Sequence, residues 1–167
     1  MNLKILPKDS SVLTTPCISI KEKVSMKTIS DMKKILKSEN GVGLAAPQVG
    51  LNIRLILCKD DPDSEKVYVL LNPLILDKEG LSIDVEGCLS IPDLAVDVPR
   101  QTKIEVAYLD TEMNKKKLVA EGYFARVLQH EIDHLDGKLI IERGVEGSFF
   151  YKGSSLSKDE VFEKFLK

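Results

Sequence analysis

Hydrophobic positions recur along the chain with two different periods. Over residues 25–38, Met26, Ile29, Met32, Ile35 and Leu36 fall on one face and lysines fill the other, so the spacing predicts an amphipathic helix behind a Ser25 cap, ending before Gly41. Residues 53–58 (IRLILC), 67–76 (VYVLLNPLIL) and 103–109 (KIEVAYL) are instead rich in β-branched and aromatic side chains. Turn-forming stretches such as DDPDS bound them, and they read as strands, mostly antiparallel. Residues 123–136 read as a buried helix closed by Gly137, whose missing Cβ suits a left-handed C-terminal position. The last segment opens with Ser157 and Glu160 at capping-box spacing and carries Val161, Phe162, Phe165 and Leu166 as an apolar stripe. A short terminal helix docked on the core is expected there.

Composition narrows what such a chain can be. The 167 residues are 43% hydrophobic, enough for one core, and no linker or repeat divides them, so a single domain over 1–167 is expected. Lysine and arginine number 24 against 26 acids, and a net charge of -2 leaves no basic excess to hold a phosphate backbone. The lysines at 21–37 belong to the solvated face of the first helix. No apolar run approaches the ~18 residues of a membrane span, and no basic region followed by an apolar core opens the chain. Three cysteines, Cys17, Cys58 and Cys88, are an odd number unsuited to a disulfide framework. The expectation is a cytoplasmic protein with neither nucleic acid nor membrane as partner.

The chemistry concentrates in a few residues. The chain has two histidines, His130 and His134, both in QHEIDH on the predicted buried helix. Four residues make about one helical turn, so both imidazoles project from one face beside Glu131, in the spacing of HExxH. Two core histidines held by hydrogen bonds are the alternative, but Glu131 and Asp133 on the same otherwise apolar helix would then be costly to bury. Catalytic metal sites usually take three protein ligands and leave a position for water, so a third ligand is needed. Cys88 in EGCLSIP is the leading candidate, because Gly87 lets the chain turn closely and a metal would hold the thiol as thiolate. A buried cysteine by itself is more often a small apolar residue, the reading that suits Cys17 and Cys58.

Three separated segments, GVGLAAPQ at 41–48, EGCLS at 86–90 and QHEIDH at 129–134, resemble in order and spacing the three signature motifs of peptide deformylases. The stretch VPRQTKIEVAYLD at 98–110 is also similar to that family, whereas ILPKDSSVLTTPC near the start resembles it only loosely and the tail from Ser148 does not match. The resemblance implies Cys88, His130 and His134 as metal ligands, Glu131 as general acid/base, and Gln48 with the backbone N–H of Leu89 as oxyanion donors. It also implies that the segment with Gly41 and Gly43 pairs with an extended substrate. Val42, Tyr123 and Val127 are candidates for an apolar methionine pocket, with plain core packing the alternative. Arg100 and Arg126 are candidates to line the approach, with surface ion pairing the alternative. The implied fold is α+β, antiparallel sheets around a central helix that carries the histidines, with the short C-terminal helix. The implied reaction removes the formyl group from N-formyl-methionyl nascent peptides, with the ribosome exit as its setting. The implied metal is Fe²⁺, with Zn²⁺, Ni²⁺ or Co²⁺ able to substitute. An HExxH metallopeptidase would ordinarily recruit a third His or Glu, and a metal-stabilised binding domain would have no use for Glu131 or Gln48.

Overall fold

The computed structural model describes residues 2–166. Helix α1 (Met26–Ser38) begins where expected, with the Ser25 hydroxyl accepting from Thr28 N at 3.1 Å. Strands β1 (Gly43–Ala45), β2 (Leu55–Cys58), β3 (Tyr68–Glu79), β6 (Lys103–Leu109) and β7 (Lys115–Glu121) form an antiparallel five-stranded sheet in the order β1-β2-β3-β6-β7. Strands β4 (Ser82–Cys88), β5 (Ile91–Arg100), β8 (Phe149–Tyr151) and β9 (Ser154–Leu156) form a second sheet in the order β4-β5-β8-β9. Helix α2 (Gly122–Leu135) carries both histidines, α3 (Ile140–Arg143) follows it, and α4 (Lys158–Phe165) ends the fold. The architecture is α+β with antiparallel sheets and a C-terminal helix.

The five-stranded sheet is covered on both faces. All four residues of β2 are buried, because Ile56 and Cys58 pack towards α2 while Leu55 and Leu57 pack towards α1. On the α2 side, Ala45, Leu70, Ile104 and Val106 meet Ala125, Leu128, Ile132 and Leu135. On the other, Leu44 and Leu71 meet Met32 and Leu36. Full burial of such side chains contributes about 1.5–3 kcal/mol each, which fixes the helix that bears the site. Its end is set equally firmly. Gly137 has φ 72°, and a Cβ there would lie 2.8 Å from the Thr14 carbonyl carbon, so both conformation and space demand glycine.

The tail from Ser148, which does not match that family in sequence, is part of the core. Phe149 on β8 is fully buried with Ile91, Leu94, Val96 and Val98 of β5 and with Val161 and Phe165 of α4. The Ser157 hydroxyl accepts from Glu160 N, as the capping-box spacing predicts. Truncating a buried phenylalanine leaves a cavity, so Phe149→Ala should destabilise the protein by about 3–5 kcal/mol in urea unfolding. A wild-type midpoint would mean that the tail adds nothing to the core.

Candidate metal centre

The two sheets leave a cleft of about 410 Å³ between the β1 segment and the end of β4, floored by α2. Helical spacing brings His130 and His134 to one side of α2, with ring centroids 5.0 Å apart. Cys88, the last residue of β4, completes the group: its Sγ is 3.4 Å from His134 Nε2, and the donor atoms of Cys88, His130 and His134 all lie within 4.8 Å of one another. Gly87 does not act by a special turn. Its φ is not in the left-handed region, and a Cβ there would make only an ordinary 3.5 Å contact with the Leu94 carbonyl.

The electrostatics are built around Glu86, buried on β4 two positions before Cys88. His130 Nδ1 lies 2.9 Å from Glu86 Oε1, which leaves Nε2 for the cleft. Arg100 Nε and Nη2 donate to both Glu86 oxygens at 2.9 Å, and Arg126 Nη1 donates to Oε2 at 2.7 Å. Burial pushes the Glu86 pKa up, but the hydrogen bonds from His130 and Arg100 outweigh it and bring the carboxyl down to about 2. Burial likewise opposes ionisation of Cys88, yet His134 and His130 beside it hold the thiol well below its ordinary value. Glu131 goes the other way, because burial raises its pKa further than the two histidines lower it. Burial pushes Cys17 up to about 11 and Cys58 well above its ordinary value, which suits plain core cysteines.

Two contacts aim the remaining groups. A Cβ on Gly43 would collide with the Glu131 carboxylate and lie 2.8 Å from its Cδ, so glycine there makes room for the acid. Glu131 Oε2 is buried and has no hydrogen-bond partner among the described residues, and neither has His134 Nδ1. Gln48 Oε1 accepts from Ala45 N at 2.9 Å, so its Nε2 turns to the site, 3.1 Å from Ser90 Oγ and 3.7 Å from Cys88 Sγ. The unpaired Glu131 oxygen beside one thiol and two imidazoles fits a divalent ion carrying a water.

Leu89, Val42, Gly43, Val127 and Tyr123 all stand on the cleft wall, Val127 buried and Tyr123 43% exposed. Arg100 and Arg126 are not surface residues. Arg126 borders the cleft but spends its donors on Glu86, Val98 O and Ser82, and Arg100 lies behind it, bound to Glu86 and to Asp133. Sequence reasoning quoted Glu86 and Ser90 within EGCLS without giving either a role, and noted Asp133 as costly to bury without finding its partners, Arg100 and Arg143. The signal for Glu86 was present as a carboxylate in an otherwise strand-like run next to the cysteine.

Residues 2–148 match the family model for polypeptide deformylase. The chain is 48% identical over 118 residues to a peptide deformylase of Dictyoglomus thermophilum, covering 70% of this chain and 74% of that protein. Its structure is similar to the crystal structure of peptide deformylase from Thermus thermophilus, with TM-score 0.79, 43% identity and 83% of each chain covered. It is also similar to that of a Synechococcus elongatus peptide deformylase in complex with actinonin, with TM-score 0.83, 36% identity, and 97% of this chain and 86% of that one covered. Matched over most of its length, and with one cysteine facing two histidines on an HExxH helix, the chain belongs to the polypeptide deformylase family.

Proposed function

We propose that Cys88, His130 and His134 hold the metal with which this chain carries out the family's reaction, metal-dependent removal of the formyl group from N-terminal formyl-methionine with release of formate. The observation that carries the assignment is the buried, unpaired Oε2 of Glu131, a residue that lines the same cleft as Cys88 and His130. Cys88, His130 and His134 would hold a divalent ion, which when bound would supply the Lewis-acid chemistry that lets water act as a nucleophile near neutral pH. Glu131 takes the proton of that water and passes it to the departing methionine amine. The oxyanion that develops on the formyl group is met by Gln48 Nε2 and the Leu89 N–H, neutral donors held in place before the reaction starts. Gln48 cannot turn away without breaking its bond from Ala45 N. The methionine side chain lies against Val42, Tyr123 and Val127, and Gly43 gives its backbone to the extended substrate. Arg126 and Arg100 act through Glu86, keeping His130 oriented rather than touching peptide.

The proposal extends to setting and metal. Residues 1–167 form one catalytic domain, supported by apolar clusters that join the N-terminal segment, both sheets and the tail. The reaction takes place in the cytoplasm on nascent chains at the ribosome exit, a setting that three free cysteines suit; among the described residues no helix is long and apolar enough to cross a membrane. The metal is Fe²⁺, although affinity alone favours zinc for such a donor set. The family resemblance, not the geometry, selects iron.

Glu131→Gln should retain the metal and the fold and lower kcat by roughly 10² to 10⁴, measured as formate release from formyl-Met-Ala-Ser at verified metal content. Wild-type turnover in the loaded variant would sink the assignment. Gly43→Ala should keep a near-native melting temperature, because a movable carboxylate can give way, yet lose on the order of 10² in kcat as Glu131 shifts by ~1 Å. Undiminished turnover would show that the Glu131 position is not critical.

Chelation tests the ligand set directly. Removing the metal should open Cys88 to iodoacetamide, while Cys17 and Cys58 stay unmodified because both are buried; peptide mass spectrometry reads each site. Equal labelling of Cys88 with and without metal would exclude it as a ligand. Rebuilding the apo-protein anaerobically should give the fastest turnover with Fe²⁺, sustained activity with Ni²⁺ or Co²⁺, and decay of the iron form in air through thiolate and metal oxidation. A zinc form that is fastest and indifferent to air would overturn the choice of iron alone.

A further inference from the structure

Strand β4 carries large apolar side chains on the outside of the molecule. Leu81 is 64% exposed, Ile83 59% and Val85 61%. Their spacing is the period of a strand, so Ile83 and Val85 share one face, and Leu81 just before the strand continues the row. The opposite face is accounted for, since Ser82 and Glu86 both bond Arg126 of α2. The apolar row therefore points away from the core. Across the ladder, Ile83 pairs with Pro99, which widens the stripe. Scattered exposed aliphatic residues need no explanation, but three at alternate positions on one strand form a surface that water disfavours.

The stripe runs out of the substrate cleft. Val85 stands on the cleft wall with Gly87 and Cys88, and the row leaves from there along β4. A strand rises about 3.3 Å per residue, so Val85 to Leu81 spans about 13 Å, the reach of four extended residues. Charge meets this route at Asp97, the cross-strand partner of Val85, whereas Asp84 lies on the other face and its carboxylate accepts from Val85 N at 2.8 Å. That bond also occupies a backbone N–H of the outermost strand of its sheet, so a ligand would be read by side chains more than by ladder hydrogen bonds.

We propose that the Leu81–Ile83–Val85 stripe docks the part of the nascent peptide that follows the formyl-methionine, favouring chains with apolar side chains at alternate positions there. The inference rests on the deformylase reading of the cleft. Its occupant is the substrate itself, because the stripe is continuous with the wall against which the substrate's first residue lies. Burial of two or three aliphatic contacts would be worth roughly a tenfold preference in kcat/KM, since ~25 cal/mol per Å² of apolar surface makes such gains modest.

The test compares metal-loaded wild type with the double variant Leu81→Asn, Ile83→Asn, both exposed positions remote from the donors. Three substrates are used: formyl-Met-Ala-Ser, and two formyl-Met octapeptides carrying either leucine or serine at alternate positions from the third residue onward. The expected result is a roughly tenfold higher kcat/KM for the leucine octapeptide in wild type. In the variant that ratio should fall close to one while tripeptide turnover is kept. Equal kcat/KM for the two octapeptides in wild type, with normal tripeptide turnover, overturns the stripe and leaves the deformylase reading standing. Formate release from none of the three overturns both. Sedimentation of both proteins covers the remaining occupant. A wild-type dimer that the substitutions dissociate, with the leucine preference unchanged, would assign the stripe to self-association and overturn the proposal.

Discussion

A buried carboxylate stripped of partners costs several kcal/mol, and removing one partner from a buried ion pair typically costs about 3–5 kcal/mol. Glu86 is buried, and three side chains are committed to keeping it paired: Arg100 from β5, Arg126 from α2, and His130 one turn further along α2. That set of bonds ties the four-stranded sheet to the histidine helix across the mouth of the cleft. Cys88 lies two residues along the same strand, so the bonds that neutralise Glu86 also set the distance between the thiol and the imidazoles. The network continues outward, because Asp133 is shared by Arg100 and Arg143. Orientation of His130 and attachment of the four-stranded sheet to α2 are thus one arrangement.

On the opposite side of the cleft the control is steric. Gly43 has no side chain because the Glu131 carboxylate fills the space a Cβ would need. The strand that presents its backbone to the cleft is therefore as close to Glu131 as packing allows. Gln48 is fixed from the same segment by Ala45 N, so one short stretch of chain, GLAAPQ, positions both the Glu131 carboxylate and the Gln48 amide. Flexible loops would place these groups less tightly than a strand buried on both faces.

Much of this was legible in the sequence where a periodic signal carried it. The helices at 26–38, 122–135 and 158–165 lie within a residue or so of the apolar patterns, and their Ser25 and Ser157 caps bond as the capping rules expect. Strand β4 alternates, but with its apolar positions Ile83 and Val85 outward and Glu86 inward, the reverse of a half-buried strand, while in β5 Arg100 takes an inward position and Pro92 and Pro99 weaken the signal. Strand β7 begins with three exposed lysines, and β8 and β9 are three residues each, too short for a period to register. The two arginines were placed near the surface because unpaired arginine is rarely buried. Their pairing with Glu86, 14 and 40 residues away, is a tertiary fact that no local pattern encodes.

The charges of the finished network explain why the cleft is suited to a cation. Glu86 and Asp133 are matched by the guanidinium groups of Arg100, Arg126 and Arg143, all within hydrogen-bond reach. Those pairs face the protein. What faces the cleft is a cysteine held towards thiolate by its histidine neighbours and an acid, Glu131, with an oxygen that no described residue satisfies. The histidines answer the cysteine, but a buried carboxyl oxygen without a partner is unfavourable. A divalent ion there would satisfy that oxygen without disturbing the arginine pairs. The same division separates the two tasks of the acidic residues: Glu86 is held at about 2 and stays an anion that orients, whereas Glu131 is raised by burial and can exchange a proton. Two carboxylates that flank the same histidine are thus driven to opposite behaviour by what each is bonded to, the division of labour that the proposed mechanism requires of them.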